Sequence, residues 1–244
     1  IYGVDIEKGA VDIARLRFWL SLIVDEQQPI QLPNLDYRIM QGNSLLESFG
    51  NIDLSVNHKN DLRNLGNDKV FDKKNVAKLR KLTKQFFDAN NEQKAKCKKE
   101  IEDIVLKHIK NNVQSLKNIY DKDNKKIEKE LAANVIKPSD NTIAKKKRKA
   151  KNVQILTKAL LINVENLKQI KKQEIELLNI AKTNEKPFFL WNLFFYDVFE
   201  KGGFDIVIGN PPYIKVQNIS KSEVSIYKNK FESATGKFDA YILF

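Results

Sequence analysis

Asn210-Pro211-Pro212-Tyr213 sets a side-chain amide, a doubly rigid corner and an aromatic ring in direct succession. It lies within Gly203–Gln217, GFDIVIGNPPYIKVQ. Phe204–Ile208 reads as a buried β-strand, and Gly209 releases the chain into the corner. Two consecutive prolines fix φ near −65° and donate no backbone hydrogen bond. Each also holds the preceding residue out of the α region, so Asn210 and Pro211 are both extended. The corner therefore aims the Asn210 amide oxygen and the Pro211 carbonyl in a fixed direction, with the Tyr213 ring beside them. Two close acceptors suit an –NH₂ group, and a flat ring suits the planar base or amide that carries it. Accepting both N–H bonds draws the amine out of conjugation and frees its lone pair, so no general base is needed. Stacking on an aromatic ring is worth ~1–3 kcal/mol per base, comparable with the cost of unstacking one. Taken alone, Asn-Pro-Pro is also a strand-ending turn, and Tyr213 a rim aromatic.

Two further groups belong to the same kind of site. Gly3-Val4-Asp5-Ile6-Glu7 ends a short strand in a carboxylate. Asp5 at that place can accept bonds from a ribose diol, or else Asp5 or Glu7 is an acid beside a helix N-terminus. Gly42-Asn43-Ser44-Leu45 follows a second strand. There the Asn43 side chain can read an adenine edge with Leu45 packed on the ring, or else Asn43-Ser44 is an ordinary turn. The two histidines, His58 and His108, lie in the 58–186 stretch outside these motifs, so histidine base catalysis is not indicated.

The elements that must hold these groups follow from apolar spacing. IYGVDIE reads as a strand, and Val11, Ala14, Phe18 and Leu22 recur at helical spacing behind it. Asp36–Gln41 reads as a second strand, and the following GNSLLESF as a turn. Residues 58–186 change character, with Lys, Asn, Asp and Glu dominant. There Ile101, Val105, Ile109, Val113, Leu116 and Tyr120 recur every three or four residues. So do Val153, Leu156, Leu160, Val164, Leu167 and Ile170, which predicts two or three long amphipathic helices. Asn60–Lys69 and Asp121–Asn124 read as turns between them. Beyond Pro187 the chain is apolar again, SKSEVSIYKNKFE reads as helix or loop, and KFDAYILF as the start of a helix. Trp19 and Trp191 read as core residues. Strand, helix, strand, helices, strand, helix is the pattern of a parallel α/β sheet. The expected division is a sheet domain from 1–57 and 187–244, with 58–186 as a basic helical insertion.

The 244 residues carry a formal charge of +12. Residues 58–186 hold 33 Lys and Arg against 17 Asp and Glu, so the rest of the chain is slightly acidic. Within the insertion, Ala144–Lys151 (AKKKRKAK) places Lys145, Lys146, Lys147 and Arg148 in one run that can grip phosphates, or simply form a solvated helix face. The single cysteine, Cys97, allows no internal disulfide and fits a cytoplasmic protein. No apolar run approaches the ~20 residues of a membrane span, and no metal-ligand pattern is apparent. The chain opens on Ile1-Tyr2-Gly3-Val4 and stops on Tyr241-Ile242-Leu243-Phe244, which reads as a piece of a longer protein.

In their order along the chain, GVDIE, QGNSLLE and FDIVIGNPPYI resemble three motifs of S-adenosylmethionine-dependent amino-methyltransferases. With FFLWNLFFYDVFEKGG ahead of the corner and GKFDAYILF behind it, the chain is most similar to the DNA adenine-N6 methyltransferase part of type II (type IIG-like) restriction–modification enzymes. The resemblance covers about half the chain. It implies a Rossmann-like class I methyltransferase sheet with a long α-helical insertion, S-adenosylmethionine as cofactor, and double-stranded DNA with a flipped adenine as substrate. It further implies that Asp5 holds the cofactor ribose. Asn43, with Ser44 and Leu45, meets the cofactor adenine, on which Phe244 packs. Asn210 and the Pro211 carbonyl then hold the target amine, Pro212 stiffens the corner, and Tyr213 stacks on the target base. Asn43 stands where many relatives carry Asp. The Gly-rich loop that cradles the methionine part of the cofactor is not found. In the family its strand lies between those of Gly3–Ile6 and Phe204–Ile208, so the sheet is expected to be incomplete and the isolated chain to bind cofactor weakly or not at all. No target-recognition region or nuclease cluster is evident. Two other readings remain open: an amine methyltransferase acting on a protein glutamine or an RNA base, and a non-catalytic basic helical DNA-binding or spacer module.

Overall fold

The computed structural model describes residues 1–24, 26, 28, 32, 34–55, 73–137, 140, 142–181 and 187–244. The expected Asn60–Lys69 turn and His58 lie outside the described residues. Two short strands, β1 (Gly3–Asp5) and β2 (Ile39–Gln41), pair in parallel with Gly3 opposite Ile39 and Asp5 opposite Gln41. Helix α1 (Lys8–Ile23) connects them. Arg15 on α1 clamps this unit: its guanidinium donates to the carbonyls of Ile39 (2.6 Å) and Asp36 (3.1 Å) and pairs with the Asp36 carboxylate at 3.2 Å. Val11, Leu35 and Ile39 form the small core beneath it, with Trp19 packed alongside.

A tight hairpin follows, β3 (Ser48–Phe49) and β4 (Ile52–Asp53), turning through Gly50 at φ 55°. The pattern GNSLLESF gave only a turn there, because two-residue strands are too short to show alternation. Three helices come next: α2 (Lys73–Asp88), α3 (Asn91–Ala133) and α4 (Ile143–Ile180). Asn90 opens α3 with a reciprocal cap, accepting from the Gln93 amide while the Gln93 side chain accepts from its own. The expected turn at Asp121–Asn124 is instead continuous α3. Half-buried Tyr120, Asn124, Ile127 and Leu131 hold one face there. That packing outweighs the modest helix penalty of Asp and Asn, up to ~0.7 kcal/mol each.

α3 and α4 run antiparallel. Lys117 pairs with Glu174 near one end, and the Asn152 amide donates to Asn134 (3.2 Å) near the other. One buried cluster joins Leu46, Ile52 and Leu54 with Leu79, Ile101, Ile109 and Leu177 of the helices, and with Phe188, Leu193 and Phe238. Each such side chain contributes ~1.5–3 kcal/mol on burial. Short helices α5 (Trp191–Phe194) and α6 (Tyr196–Glu200), then α7 (Lys221–Lys230) and a closing 3₁₀ turn (Ala240–Leu243), complete the chain. KFDAYILF thus ends in a 3₁₀ turn rather than opening an α-helix.

The third expected strand does not form. Phe204–Ile208 is not buried in a sheet, and no described residue gives it a ladder partner. Ile206, Val207 and Ile208 are 79%, 80% and 91% exposed. A strand needs partners for its backbone groups, and none of these five residues has one among the described residues; the Phe204 ring packs against those of Tyr2, Trp191, Phe195 and Phe199. The molecule is mixed α/β and mostly helical, with two small sheets among the described residues. Among the described residues no helix is long and apolar enough to cross a membrane.

The α3–α4 junction rests on a buried carboxylate. Asp140 accepts from the Lys137 amide (2.9 Å) and pairs with Lys149 (2.7 Å) and Lys145 (3.1 Å). The Lys149 bond, more than any other, holds its carboxyl below the usual range. A depressed carboxylate stabilises above its unfolded value of ~3.9 and loses that contribution as pH falls through the folded one. Asp140→Asn should therefore speed amide exchange in the first turns of α4 at neutral pH, and the difference from wild type should shrink on acidification below pH ~4.

Candidate functional site

The β1–β2 register puts the end of β1 and the turn after β2 side by side. The Gly42 amide donates to the Asp5 carbonyl (2.9 Å), and the Gln41 side chain donates to the Ile6 carbonyl (3.1 Å). Asp5 is exposed, and its Oδ1 accepts from the Glu7 amide at 2.8 Å. Its second oxygen has no partner among the described residues. This is the carboxyl edge of a parallel pair, where ligands of such sheets bind.

The turn itself is built by close approach. A Cβ on Gly42 would stand 2.8 Å from the Phe188 carbonyl and 3.0 Å from the Phe189 Cβ. Asn43 Oδ1 accepts from the Leu45 amide (3.0 Å), closing an Asx turn. Burial pushes the Tyr227 hydroxyl above its ordinary range, while the neighbouring Asn43 side chain works the other way. Trp191 donates its indole N–H to the Ser44 carbonyl (2.9 Å), and the Phe189 amide donates to Leu46 (2.8 Å). Leu45 is half-buried against the main core. Glu47, raised by burial, accepts from the Asn192 amide (3.2 Å) and side chain (3.4 Å). Tyr227, Gly42 and Trp191 were not among the residues singled out as a site. A tyrosine on a short amphipathic helix and a glycine after a strand each have commoner explanations.

The Asn210 corner lies on the surface. Asn210 and Pro212 are exposed, Pro211 is half-buried, and Tyr213 is 83% exposed. No bond to the Asn210 side chain occurs among the described residues. The Ile214 amide closes back on the Pro212 carbonyl (3.0 Å), which tightens the bend. Beyond it the chain is anchored: Ala240 donates to Ile214 (2.7 Å), Val216 to Phe238 (3.0 Å), and Lys215 bridges Asp239. Tyr213 lies 5.5 Å from Tyr241, centroid to centroid, so the corner sits beside the 3₁₀ turn that leads to exposed Phe244. The structure therefore brings Asp5 together with the Asn43–Leu45 turn, and Tyr213 together with the Phe244 turn. No hydrogen bond or ring contact joins the two pairs directly.

Other expectations fall elsewhere. Lys145 is paired with Asp140, while Lys146, Lys147 and Arg148 are exposed on α4. His108 is buried, its Nε2 2.8 Å from the Leu54 carbonyl, and serves the helix–hairpin contact. A cavity of 310 Å³ lies between α1, α3 and the 188–194 segment, with Lys8, Arg15, Tyr37, Gln41, Glu102 and Phe189 in its wall; none of the expected site residues lines it.

The model of the Eco57I restriction-modification methylase family matches residues 1–244. A putative type II restriction enzyme and methyltransferase of Methanocaldococcus jannaschii is 28% identical over 262 aligned positions, covering 100% of this chain and 20% of the relative. The type II restriction enzyme and methyltransferase Eco57I of Escherichia coli is 43% identical over 44 residues, 17% of this chain and 4% of the relative. The chain thus spans a fifth or less of the length of these curated relatives. No solved structure matches it.

The Gly42 approach generates a direct test. Gly42→Ala should lower stability by ~1–3 kcal/mol, the usual cost of forcing an extra carbon against backbone. Urea unfolding should show this as a lower midpoint at unchanged slope.

Proposed function

Because the chain belongs to the Eco57I restriction-modification methylase family, we propose that it carries the amine-binding corner of a DNA adenine-N6 methyltransferase. In this reading the reaction moves a methyl group from S-adenosylmethionine to the amine of an adenine turned out of the duplex, releasing S-adenosylhomocysteine and passing one amine proton to solvent. The observation that carries the reading is the exposed Asn210-Pro211-Pro212-Tyr213 bend, rigid in backbone and free in side chain.

Each residue has a task. Asn210 Oδ1 and the Pro211 carbonyl accept the two N–H bonds of the adenine amine, which leaves its lone pair available for attack. Pro212 keeps the bend from relaxing. Tyr213 offers its outward ring to the base and leans on Tyr241. With His108 spent on Leu54, the acceptor pair activates the amine without a histidine base.

The donor set fits the cofactor in part. The Asp5 oxygen that has no partner among the described residues suits a ribose diol, and Ser44, Leu45 and Phe244 supply small and apolar contacts. Asn43 Oδ1 is already engaged by the Leu45 amide, so Asn43 shapes the adenine pocket chiefly by holding its turn. S-adenosylmethionine supplies the electrophilic methyl group when bound. The same reading takes β1 and β2 as part of a Rossmann-like sheet, and the three bare aliphatic side chains Ile206, Val207 and Ile208 as a surface meant for cover.

Asn210→Ala should cut DNA methylation by the protein at its natural length by ~100-fold or more, the scale of losing one preorganised polar contact in a transition state. Thermal melting should not move, because the side chain is exposed and unbonded. Methylation at the wild-type rate would overturn the assignment. Tyr213→Ala should weaken substrate binding by ~1–3 kcal/mol while Tyr213→Phe retains it, as expected for stacking; equal losses in both variants would point to the hydroxyl instead.

A further inference from the structure

The outer part of the α3–α4 pair is a two-helix arm. After Val113 no residue of α3 is buried, and before Ile170 no residue of α4 is buried. The stretch of α3 from Val113 to Ala133 alone extends about 30 Å. No third layer covers this arm among the described residues.

The first 22 residues of α4, from 143 to 164, contain seven cations and no acid. Asp140 neutralises the inner side by pairing with Lys145 and Lys149. Lys147, Lys151 and Lys158 are exposed and have no acidic partner among the described residues. At 100° per residue these three lie within ~40° of one another around the helix. They face away from the half-buried line of Asn152, Leu156, Leu160 and Leu167 that meets α3. From Lys147 to Lys158 the row is about 16 Å long. The arrangement gives a straight, uncompensated positive row on a projecting rod.

We propose that this row, Lys147, Lys151 and Lys158, grips the phosphate backbone of duplex DNA away from the Asn210 corner, positioning the duplex without reading its sequence. The inference rests on the reading of DNA as substrate. Duplex DNA carries one negative charge per ~1.7 Å of axis, so a row of this length spans several phosphates. Lys145, bound to Asp140, is not part of the grip.

The test measures binding of a 30-base-pair duplex to the protein at its natural length, by fluorescence anisotropy across a potassium chloride series. The combined Lys147→Gln, Lys151→Gln and Lys158→Gln variant should reduce the log–log salt slope by about 2.7, from ~0.9 for each phosphate contact. A matched variant on the outer face of α3 (Lys125→Gln, Lys126→Gln, Lys129→Gln) should leave the slope unchanged, and circular dichroism should show both variants folded. An unchanged slope in the α4 variant, or an equal fall in the α3 variant, would overturn the proposal. Binding is read without methyl transfer. A protein that holds DNA through this row yet methylates none would therefore sink the proposed function and leave the arm's role standing.

Discussion

The seating of the β3–β4 hairpin in the helical layer is the contact on which the rest depends. Ile52 and Leu54 are wholly buried, and His108 of α3 meets the Leu54 carbonyl at 2.8 Å. At the root of the hairpin, Leu46 receives the Phe189 amide and Glu47 receives Asn192. One step earlier in the chain, Gly42 presses on Phe188 and its amide binds Asp5. A continuous path of packing and hydrogen bonds thus runs from the helices to the edge of the parallel pair. The helical layer is part of what holds the turn after β2 in place.

The second anchoring path comes from the chain's end. Phe238, Leu243 and Tyr227 belong to the same buried cluster as Leu46. Through Val216, Ile214 and Tyr241 they hold the segment that follows the two prolines. The corner needs both sources of stiffness. Proline fixes the local backbone angles, and the bridge to residues 238–240 fixes where the bend sits. Asn210 itself takes part in neither, which leaves its amide unengaged.

Some of this was legible in the residues and some was not. The spacing of Val11 and Ala14, and of Ile101 through Tyr120, gave the helices because apolar side chains must share a face to be buried. The order strand–helix–strand gave the β1–β2 pairing. Asp121–Asn124 misled, since four polar residues read as a break until the facing helix supplies a surface for Tyr120, Asn124, Ile127 and Leu131. Phe204–Ile208 misled in the opposite direction: apolar β-branched residues express a preference for a sheet, but a strand also needs neighbours. The Trp191–Ser44 bond and the Gly42 approach depend on segments brought together across more than 140 residues, which no local pattern encodes. Lys145 to Arg148 looked equivalent in sequence. Only the fold separates Lys145, which faces Asp140, from Lys147, which faces outward.

The central claim is that the corner after Gly209 presents paired acceptors to an exocyclic amine of adenine. The most direct measurement is nucleoside analysis of duplex DNA treated with the natural-length protein and methyl-labelled S-adenosylmethionine. The account predicts label in N6-methyladenine and in no other nucleoside. Label in 5-methylcytosine, where carbon rather than nitrogen is attacked, or label in RNA or protein but not DNA, would contradict it.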